Sequence, residues 1–208
     1  MVNAHDALKR LREGNRRFVD NVRKPDAALN TMRRATLVDS QEPFAIVLGC
    51  SDSRVPAELV FDQGLGDLFV IRVAGNIVAP SQVGSVEFAA TRFSTRLVVV
   101  LGHSQCGAIQ ATLDELRQPV KDQSINLRSI VERIRPSIEA LLQSPYAGDG
   151  AELAHQAMRA NVRASVDHLR HGSAILEQLI AKEGLRVVGA EYSLETGEVA
   201  FFDEHPGD

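Results

Sequence analysis

Unbroken runs of apolar, often β-branched residues recur along the chain, and segments with apolar residues at helical spacing separate them. Runs of this kind are typical of strands that are covered on both faces, as in a mainly parallel sheet. Their alternation with helical patterns predicts an α/β fold. The predicted strands are 44–49, 68–73, 97–102 and one that starts at 185, and the predicted helices are 4–21, 81–93, 106–116, 126–142 and 151–183.

Glycine and proline positions predict where several of these elements bend or end. Pro136 lies inside the fourth helical pattern and is expected to kink or divide that helix. Gly172 predicts a break in the next helix, and Gly184 predicts its end. The segment "YSLETGEVAFFD" predicts a hairpin that turns at Thr196 and Gly197. The sequence thus predicts a three-layer α/β domain with about four parallel strands, an antiparallel edge strand and flanking helices.

The composition of the chain limits the kinds of partner that the protein is expected to bind and the cellular compartment in which it is expected to occur. With 208 residues, 44% of them hydrophobic, the chain can bury a full core, and we expect one domain over 1–208. The net charge of −4 offers no basic surface, so nucleic acid is not an expected partner. No apolar stretch approaches the roughly 20 residues of a membrane-spanning helix, and the amphipathic N-terminus lacks the apolar segment of a secretory signal. We therefore expect a cytoplasmic protein without a membrane partner, in which thiols stay reduced.

The two cysteines stand just beyond the ends of two predicted strands. Cys50 follows the first strand, and Cys106 follows the third strand together with His103. Ligands of open α/β sheets gather at the carboxyl ends of the strands, so these side chains converge if the two strands are neighbours. Two thiolates and an imidazole are a suitable ligand set for Zn²⁺. A disulfide, or buried thiols that only pack, are the alternatives that the residues leave open.

The fourth position on such a metal decides what the site does. A structural zinc site has four protein ligands, whereas a catalytic site has three and leaves a place for water. Asp52, two residues beyond Cys50, is the side chain expected to compete with water for that coordination position. Arg54 can hold the Asp52 carboxylate through two hydrogen bonds and keep it from the metal. The alternative for this charged pair is an exposed ion pair of little energetic value.

Two segments of the chain resemble the signature motifs of the β-class carbonic anhydrases. They are "CSDSR" at 50–54 and "GHSQCG" at 102–107. The segments "VPAELVFDQGLGDLFVIRVAGN" at 55–76 and "GSVEFAA" at 84–90 are similar to the same family. The resemblance covers nearly the whole chain and is weakest over 116–150.

The resemblance implies a zinc enzyme and a role for each motif residue. One Zn²⁺ per chain would be bound by Cys50, His103 and Cys106. The implied reaction is the reversible hydration of carbon dioxide to bicarbonate and a proton by a zinc-bound hydroxide. In this family the carboxylate that matches Asp52 binds zinc in a closed form, or pairs with the arginine that matches Arg54 in the open form. Asp52 and Arg54 are accordingly the expected catalytic residues.

The resemblance also implies a substrate pocket for carbon dioxide and bicarbonate. Gln41 matches a pocket glutamine, Phe69 and Phe88 match apolar pocket positions, and the backbone N–H of Gly107 matches a donor on the substrate side. Some members carry a tryptophan three positions before the first ligand, at a regulatory bicarbonate site. Val47 occupies that position here, so regulation of that kind is not expected.

The family resemblance further implies a homodimer or a dimer of dimers, with the N-terminal helical arm at about 4–21 packed on a neighbour. Amphipathic helices also pack within a monomer, so the pattern alone permits both arrangements. Two other functions compete with carbon dioxide hydration. One is hydrolysis of carbonyl sulfide or carbon disulfide on the same scaffold, and the other is a non-catalytic zinc or bicarbonate sensor in which Asp52 closes the metal permanently.

Overall fold

The computed structural model describes residues 2–22, 31–119 and 124–202, with the backbone alone for residues 31 and 32. The strands are β1 Ala45–Gly49, β2 Leu68–Arg72, β3 Leu97–His103, β4 Arg186–Tyr192 and β5 Val199–Phe202. The α-helices are α1 Ala4–Val19, α2 Thr31–Thr36, α3 Ala57–Val60, α4 Pro80–Arg92, α5 Gly107–Arg117, α6 Ile125–Ile138, α7 Gly150–His171 and α8 Ala174–Glu183. Short 3-10 turns cover Ala74–Asn76, Glu139–Gln143 and Pro145–Gly148.

The strands form one sheet in the order β2-β1-β3-β4-β5. The first four strands are parallel, and β5 pairs antiparallel with β4 at the edge. The central strands β1 and β3 are buried along their whole length, which is why their sequences are unbroken apolar runs. The predicted α/β fold with four parallel strands and an antiparallel edge strand is confirmed.

Helices cover both faces of the sheet, and each face has its own apolar core. On one face, alternate strand residues such as Val47 and Val99 pack with α1 and α3. On the other face, Ile46, Val98 and their neighbours pack with α4 to α8. The first core includes four α1 residues at helical spacing, namely Ala4, Ala7, Leu8 and Leu11. The amphipathic face of α1 is thus buried against the sheet of its own chain.

The predicted break points are mostly where the structure has them. Gly172 follows α7, and Gly184 ends α8 in the left-handed region with φ of 70°. The hairpin turns through Gly197, whose φ is 77°. Pro136, however, lies within α6, and the change to a 3-10 turn comes only after Ile138. The proline ring disturbs bonding with the turn before it, yet the apolar face of α6 keeps the helix docked.

Two short helices, α2 and α3, were not predicted. Elements of four to six residues are too short to show a helical period in the sequence. No helix in the described part of the chain is both long and apolar enough to cross a bilayer. That 1–208 form one domain stays a prediction, because residues 1, 23–30, 120–123 and 203–208 lie outside the description.

Candidate metal centre

The strand order brings both cysteines and His103 to one edge of the sheet. Strands β1 and β3 are parallel neighbours, and Gly49 at the end of β1 pairs with Leu101. Cys50 is therefore placed beside the end of β3, where His103 is the last strand residue. Cys106 caps the N-terminus of α5, where the helix dipole favours a thiolate.

The three side chains form a compact group of potential metal ligands. The two sulfur atoms and the nearer imidazole nitrogen all lie within 4.8 Å of one another, and all three residues are buried. Ligands at about 2.0–2.3 Å in a tetrahedron are separated by roughly 3.4–3.8 Å, so only small adjustments are needed for zinc. Both cysteines are free, so the structure does not contain the alternative disulfide.

The orientation of His103 gives a more specific indication of a metal. Its Nδ1 contacts the carbonyl oxygen of Ser104 at 2.8 Å, which leaves Nε2 as the ring nitrogen available to a metal. Nε2 is buried and has no hydrogen-bond partner among the described residues. An unpaired buried polar atom is costly, and a bound cation would satisfy it. Donor set, spacing and this unpaired nitrogen all fit zinc.

The two thiols influence each other because they are buried in contact. The hydrogen bond from the Cys106 thiol, helped by His103 and the Gly75 N–H, lowers the pKa of Cys50 to about 4 in opposition to burial. The same contact with Cys50, together with burial, raises the pKa of Cys106. One of the two sulfur atoms is thus a thiolate at neutral pH, and the other keeps its proton.

Asp52 lies next to these ligands and is held by Arg54. The Arg54 guanidinium donates from Nε to Oδ1 at 2.9 Å and from Nη2 to Oδ2 at 2.7 Å, and the Arg54 backbone N–H also donates to Oδ1. These hydrogen bonds hold the pKa of the Asp52 carboxyl well below its usual range. Oδ2 is 4.0 Å from Nε2 of His103, so the carboxylate borders the ligand group while it is paired with Arg54.

The segment 72–76 supports the first motif in a way that sequence reasoning missed. Arg72 donates to the carbonyl oxygens of Cys50 and Asp52, which holds the loop after β1 in place. The backbone N–H of Gly75 donates to the Cys50 sulfur at 3.3 Å. The only signal in the sequence is "RVAGN" at a strand end, and it does not name the partner of either group.

A second missed residue, Glu195, supports the turn between His103 and Cys106. Its carboxylate accepts hydrogen bonds from Ser104 Oγ at 2.9 Å and Gln105 Nε2 at 2.7 Å. Gln105 has a left-handed φ of 53°, and its carbonyl oxygen accepts from Arg54 at 3.3 Å. Glu195 belongs to the predicted hairpin, where nothing in the local pattern distinguishes it from an ordinary turn residue.

Gly107 lies where a donor toward the site is expected. It is the first residue of α5, directly after Cys106, and first-turn N–H groups have no acceptor within their own helix. A Cβ atom added at Gly107 would meet no atom within 4 Å, so its surroundings are open. The backbone is therefore accessible at this point.

The other three predicted pocket residues lie together, but not with the ligands. Phe69 pairs with Ile46, near the beginning of β1, and stacks on Phe88 and Phe93 with ring centroids 6.2 and 6.0 Å apart. Gln41 and Phe93 line a cavity of about 1060 Å³ at the same end of the sheet. The structure thus groups Gln41, Phe69 and Phe88 at the amino ends of the strands, whereas the ligands lie at the carboxyl ends.

Comparison with known proteins identifies the family. The family model described as "Carbonic anhydrase" matches residues 45–199. The "Carbonic anhydrase" of Mycolicibacterium smegmatis is 40% identical over 203 residues, which are 97% of this chain and 94% of that protein. "Carbonic anhydrase 2" of Mycobacterium tuberculosis is 38% identical over 197 residues, which are 95% and 92% of the two chains.

Solved structures with the same fold agree with these relatives. A structure described as one of two tetrameric beta-carbonic anhydrases from Sordaria macrospora superposes with a TM-score of 0.73 and 25% identity, covering 84% of this chain and 87% of the other. The matched region spans both motifs and the strands that bring them together. With its buried pair of cysteines and histidine at the edge of this sheet, the chain belongs to the β-class carbonic anhydrases.

Proposed function

We propose that the protein catalyses the reversible hydration of carbon dioxide to bicarbonate and a proton, with one Zn²⁺ held by Cys50, His103 and Cys106. The observation that carries the proposal is the buried Nε2 of His103, which lacks a hydrogen-bond partner among the described residues, in a group whose three ligand atoms lie within 4.8 Å of one another. The names of the mycobacterial relatives support the same activity.

Each residue beside the proposed ligands has a separate role in the reaction. When bound, zinc acts as a Lewis acid that provides a nucleophile from water at neutral pH. Asp52 is the hydrogen-bond acceptor that orients the nucleophile toward carbon dioxide. Arg54 holds the Asp52 carboxylate through two side-chain hydrogen bonds. Held in this way, the carboxylate can accept a hydrogen bond from the nucleophile and would not itself bind the metal. The Gly107 N–H is a donor for a developing bicarbonate oxygen.

The positions of Gln41, Phe69 and Phe88 lead us to propose a homodimer or a dimer of dimers. Within one chain these residues lie at the opposite end of the strands from the ligands, so a second copy would bring them to the site. Phe88 is 53% exposed, and β2 is an edge strand with partly exposed apolar residues, as expected of a surface that is covered in an assembly. The relatives from Sordaria macrospora are described as tetrameric.

A cytoplasmic location is part of the same proposal. The site needs two reduced cysteines, and the cytoplasm keeps thiols reduced. Secretion into an oxidising compartment would favour a bond between two sulfur atoms that lie this close.

Zinc content and turnover of the purified protein test the function. We expect about one zinc per chain, and carbon dioxide hydration measured by stopped-flow indicator change at both pH 6.5 and pH 8.5. Carbonyl sulfide hydrolysis measured on the same sample distinguishes the rival enzyme activity. Full zinc loading without turnover of either substrate would indicate a sensor, and a protein without zinc would contradict the site itself.

A further inference from the structure

Helix α7 carries two polar side chains on the face that it buries against the sheet. Asn161 and Ser165 are only 3% and 5% exposed, and they lie one helical turn apart. Their neighbours along this face, such as Met158 and Val162, belong to the apolar core. Burying an amide or a hydroxyl is costly unless each finds a hydrogen-bond partner, so the partners show what the two residues do.

Both side chains bond to the 3-10 turn at Ala74–Asn76. Asn161 donates from Nδ2 to the carbonyl oxygen of Gly75 at 2.8 Å, and Ser165 donates from Oγ to that of Asn76 at 3.2 Å. Gly75 and Asn76 both have left-handed backbone angles, with φ of 68° and 43°. Glycine and asparagine adopt this region more readily than other residues, and the hydrogen bonds from α7 select it among the conformations that both allow.

The other side of the turn is packed against two helices. A Cβ atom on Gly75 would lie 2.9 Å from Cδ1 of Ile134 and 3.0 Å from the Cβ of Ala108. The turn is therefore fixed on one side by packing against these apolar atoms and on the other side by hydrogen bonds from α7. From this position the Gly75 N–H donates to the sulfur of Cys50 at 3.3 Å.

We propose that Asn161 is a positioning residue for the Cys50 ligand and acts through the backbone of Gly75, with Ser165 as a weaker support. The bond from Asn161 restrains the Gly75 carbonyl, and the direction of the Gly75 N–H follows from the backbone angles that this restraint maintains. A hydrogen bond to a thiolate withdraws negative charge from the sulfur, so the metal receives less charge from that ligand. The inference rests on the proposed zinc site, and Asn161 itself touches neither metal nor substrate.

The test replaces Asn161 and reads out the metal–sulfur bond in protein loaded with Co²⁺. Asn161→Leu keeps a similar side-chain size and removes the amide donor. We expect the sulfur-to-cobalt charge-transfer band to move to lower energy, because a thiolate without its hydrogen bond gives up charge more easily. We also expect the affinity for Zn²⁺ in chelator competition to fall about 10- to 100-fold, as is usual when a support of a ligand is lost. Ser165→Ala should shift both readouts in the same direction by a smaller amount.

Asn15 supplies a matched control. It is also buried, at 6% exposure, and its Nδ2 donates to the carbonyl oxygens of Val60 at 3.1 Å and Gly197 at 2.9 Å. Asn15→Leu removes an equivalent amide from the core on the other face of the sheet. We expect it to lower stability toward urea while the cobalt band and the zinc affinity stay unchanged.

The outcomes separate positioning from general destabilisation. An Asn161→Leu protein with the wild-type band and a zinc affinity within about twofold of wild type would overturn the proposal. An equal shift in Asn15→Leu would overturn it too. If Asn161→Leu does not fold, Ser165→Ala tests the proposal by the same two readouts. A wild-type cobalt band and wild-type zinc affinity in Ser165→Ala would then overturn it. Wild-type protein that takes up neither Co²⁺ nor Zn²⁺ would instead contradict the proposed function.

Discussion

The carboxyl ends and the amino ends of the parallel strands differ in how far the residues of a single chain enclose the proposed sites there. At the carboxyl ends, three buried ligand side chains come within 4.8 Å of one another, and their supporting hydrogen bonds are already formed. At the amino ends, Gln41 is exposed and lines an open cavity of about 1060 Å³ beside a partly exposed aromatic cluster.

The difference shows which kinds of contact a single chain can organise by itself. Metal ligands follow directly from strand ends and a helix start, so the pairing of β1 with β3 is enough to assemble them. A pocket for a small apolar molecule needs walls on several sides, whereas Phe88 in the proposed pocket is 53% exposed in a single chain. Four measurements test this contrast between a proposed metal centre that one chain assembles and a proposed pocket that one chain leaves open.

The largest effect is expected from removing a ligand. Cys106→Ser should reduce zinc to below about 0.1 per chain and lower carbon dioxide hydration by at least about 100-fold, because a serine hydroxyl stays protonated and binds zinc poorly. Zinc analysis of dialysed protein and stopped-flow rates measure both. Ser51→Ala, an exposed change beside Cys50, is the control and should keep metal and rate. Stoichiometric zinc in Cys106→Ser would show that the ligand assignment is wrong.

A smaller loss is expected from releasing Asp52. Arg54→Ala should keep about one zinc per chain but lower turnover roughly 10- to 100-fold, since the freed carboxylate can occupy the fourth position. Arg54→Lys should lie between this variant and wild type, because an ammonium lacks the paired donors of a guanidinium. Lys9→Ala disrupts the exposed Lys9–Glu13 ion pair within α1 and should not change the rate. Wild-type turnover in Arg54→Ala would contradict the positioning of Asp52 by Arg54.

A loss of about 10-fold is expected for Gln41→Ala, because we propose that the Gln41 amide donates one neutral hydrogen bond to the developing bicarbonate oxygen, in addition to the Gly107 N–H. Hybrid dimers reveal which chain supplies Gln41. One chain carries Gln41→Ala, the other carries Cys106→Ser, and two affinity tags isolate the mixed species. If Gln41 serves the partner's ligands, one of the two sites is intact and about half of the wild-type rate returns.

The opposite result has a distinct signature. If Gln41 serves the ligands of its own chain, the hybrid has no intact site and its rate stays near a twentieth of wild type. A monomer in light scattering at assay concentration would equally contradict completion of the pocket by a second copy. Either result would require the amino-end cavity to have another role.

The smallest effect is a count of protons. Because the pKa of Cys50 is lowered to about 4 and that of Cys106 is raised, we expect the two thiols together to carry one proton at pH 7. Zinc binding should then release about one proton from the thiols, whereas two unperturbed thiols would release nearly two. Zinc affinity should therefore rise with pH, and release of the thiol proton alone accounts for about a tenfold rise per pH unit. Calorimetry at pH 6 in two buffers of different ionisation enthalpy gives the count, because water on the zinc, with a pKa of about 7, would still keep its proton there. A value near two would contradict the shared proton.

Local chemistry in the sequence was sufficient to predict the strands, the Asp52–Arg54 pair and the positions of the three proposed ligands. The apolar runs place strand ends within a residue or two, and Cys50, His103 and Cys106 stand at those ends. The spacing of Asp52 and Arg54 already permits their paired hydrogen bonds, because the contact spans two residues.

Only the tertiary structure decided which distant groups support the ligands. The Gly75 N–H reaches Cys50 across 25 residues, Asn161 reaches Gly75 across 86, and Glu195 reaches Gln105 across 90. The register of β2 on β1 likewise decided that Phe69 lies beside Ile46 and away from the ligands. A sequence pattern records the period and the ends of an element, whereas contacts of this kind depend on how the elements pack, which no local spacing specifies.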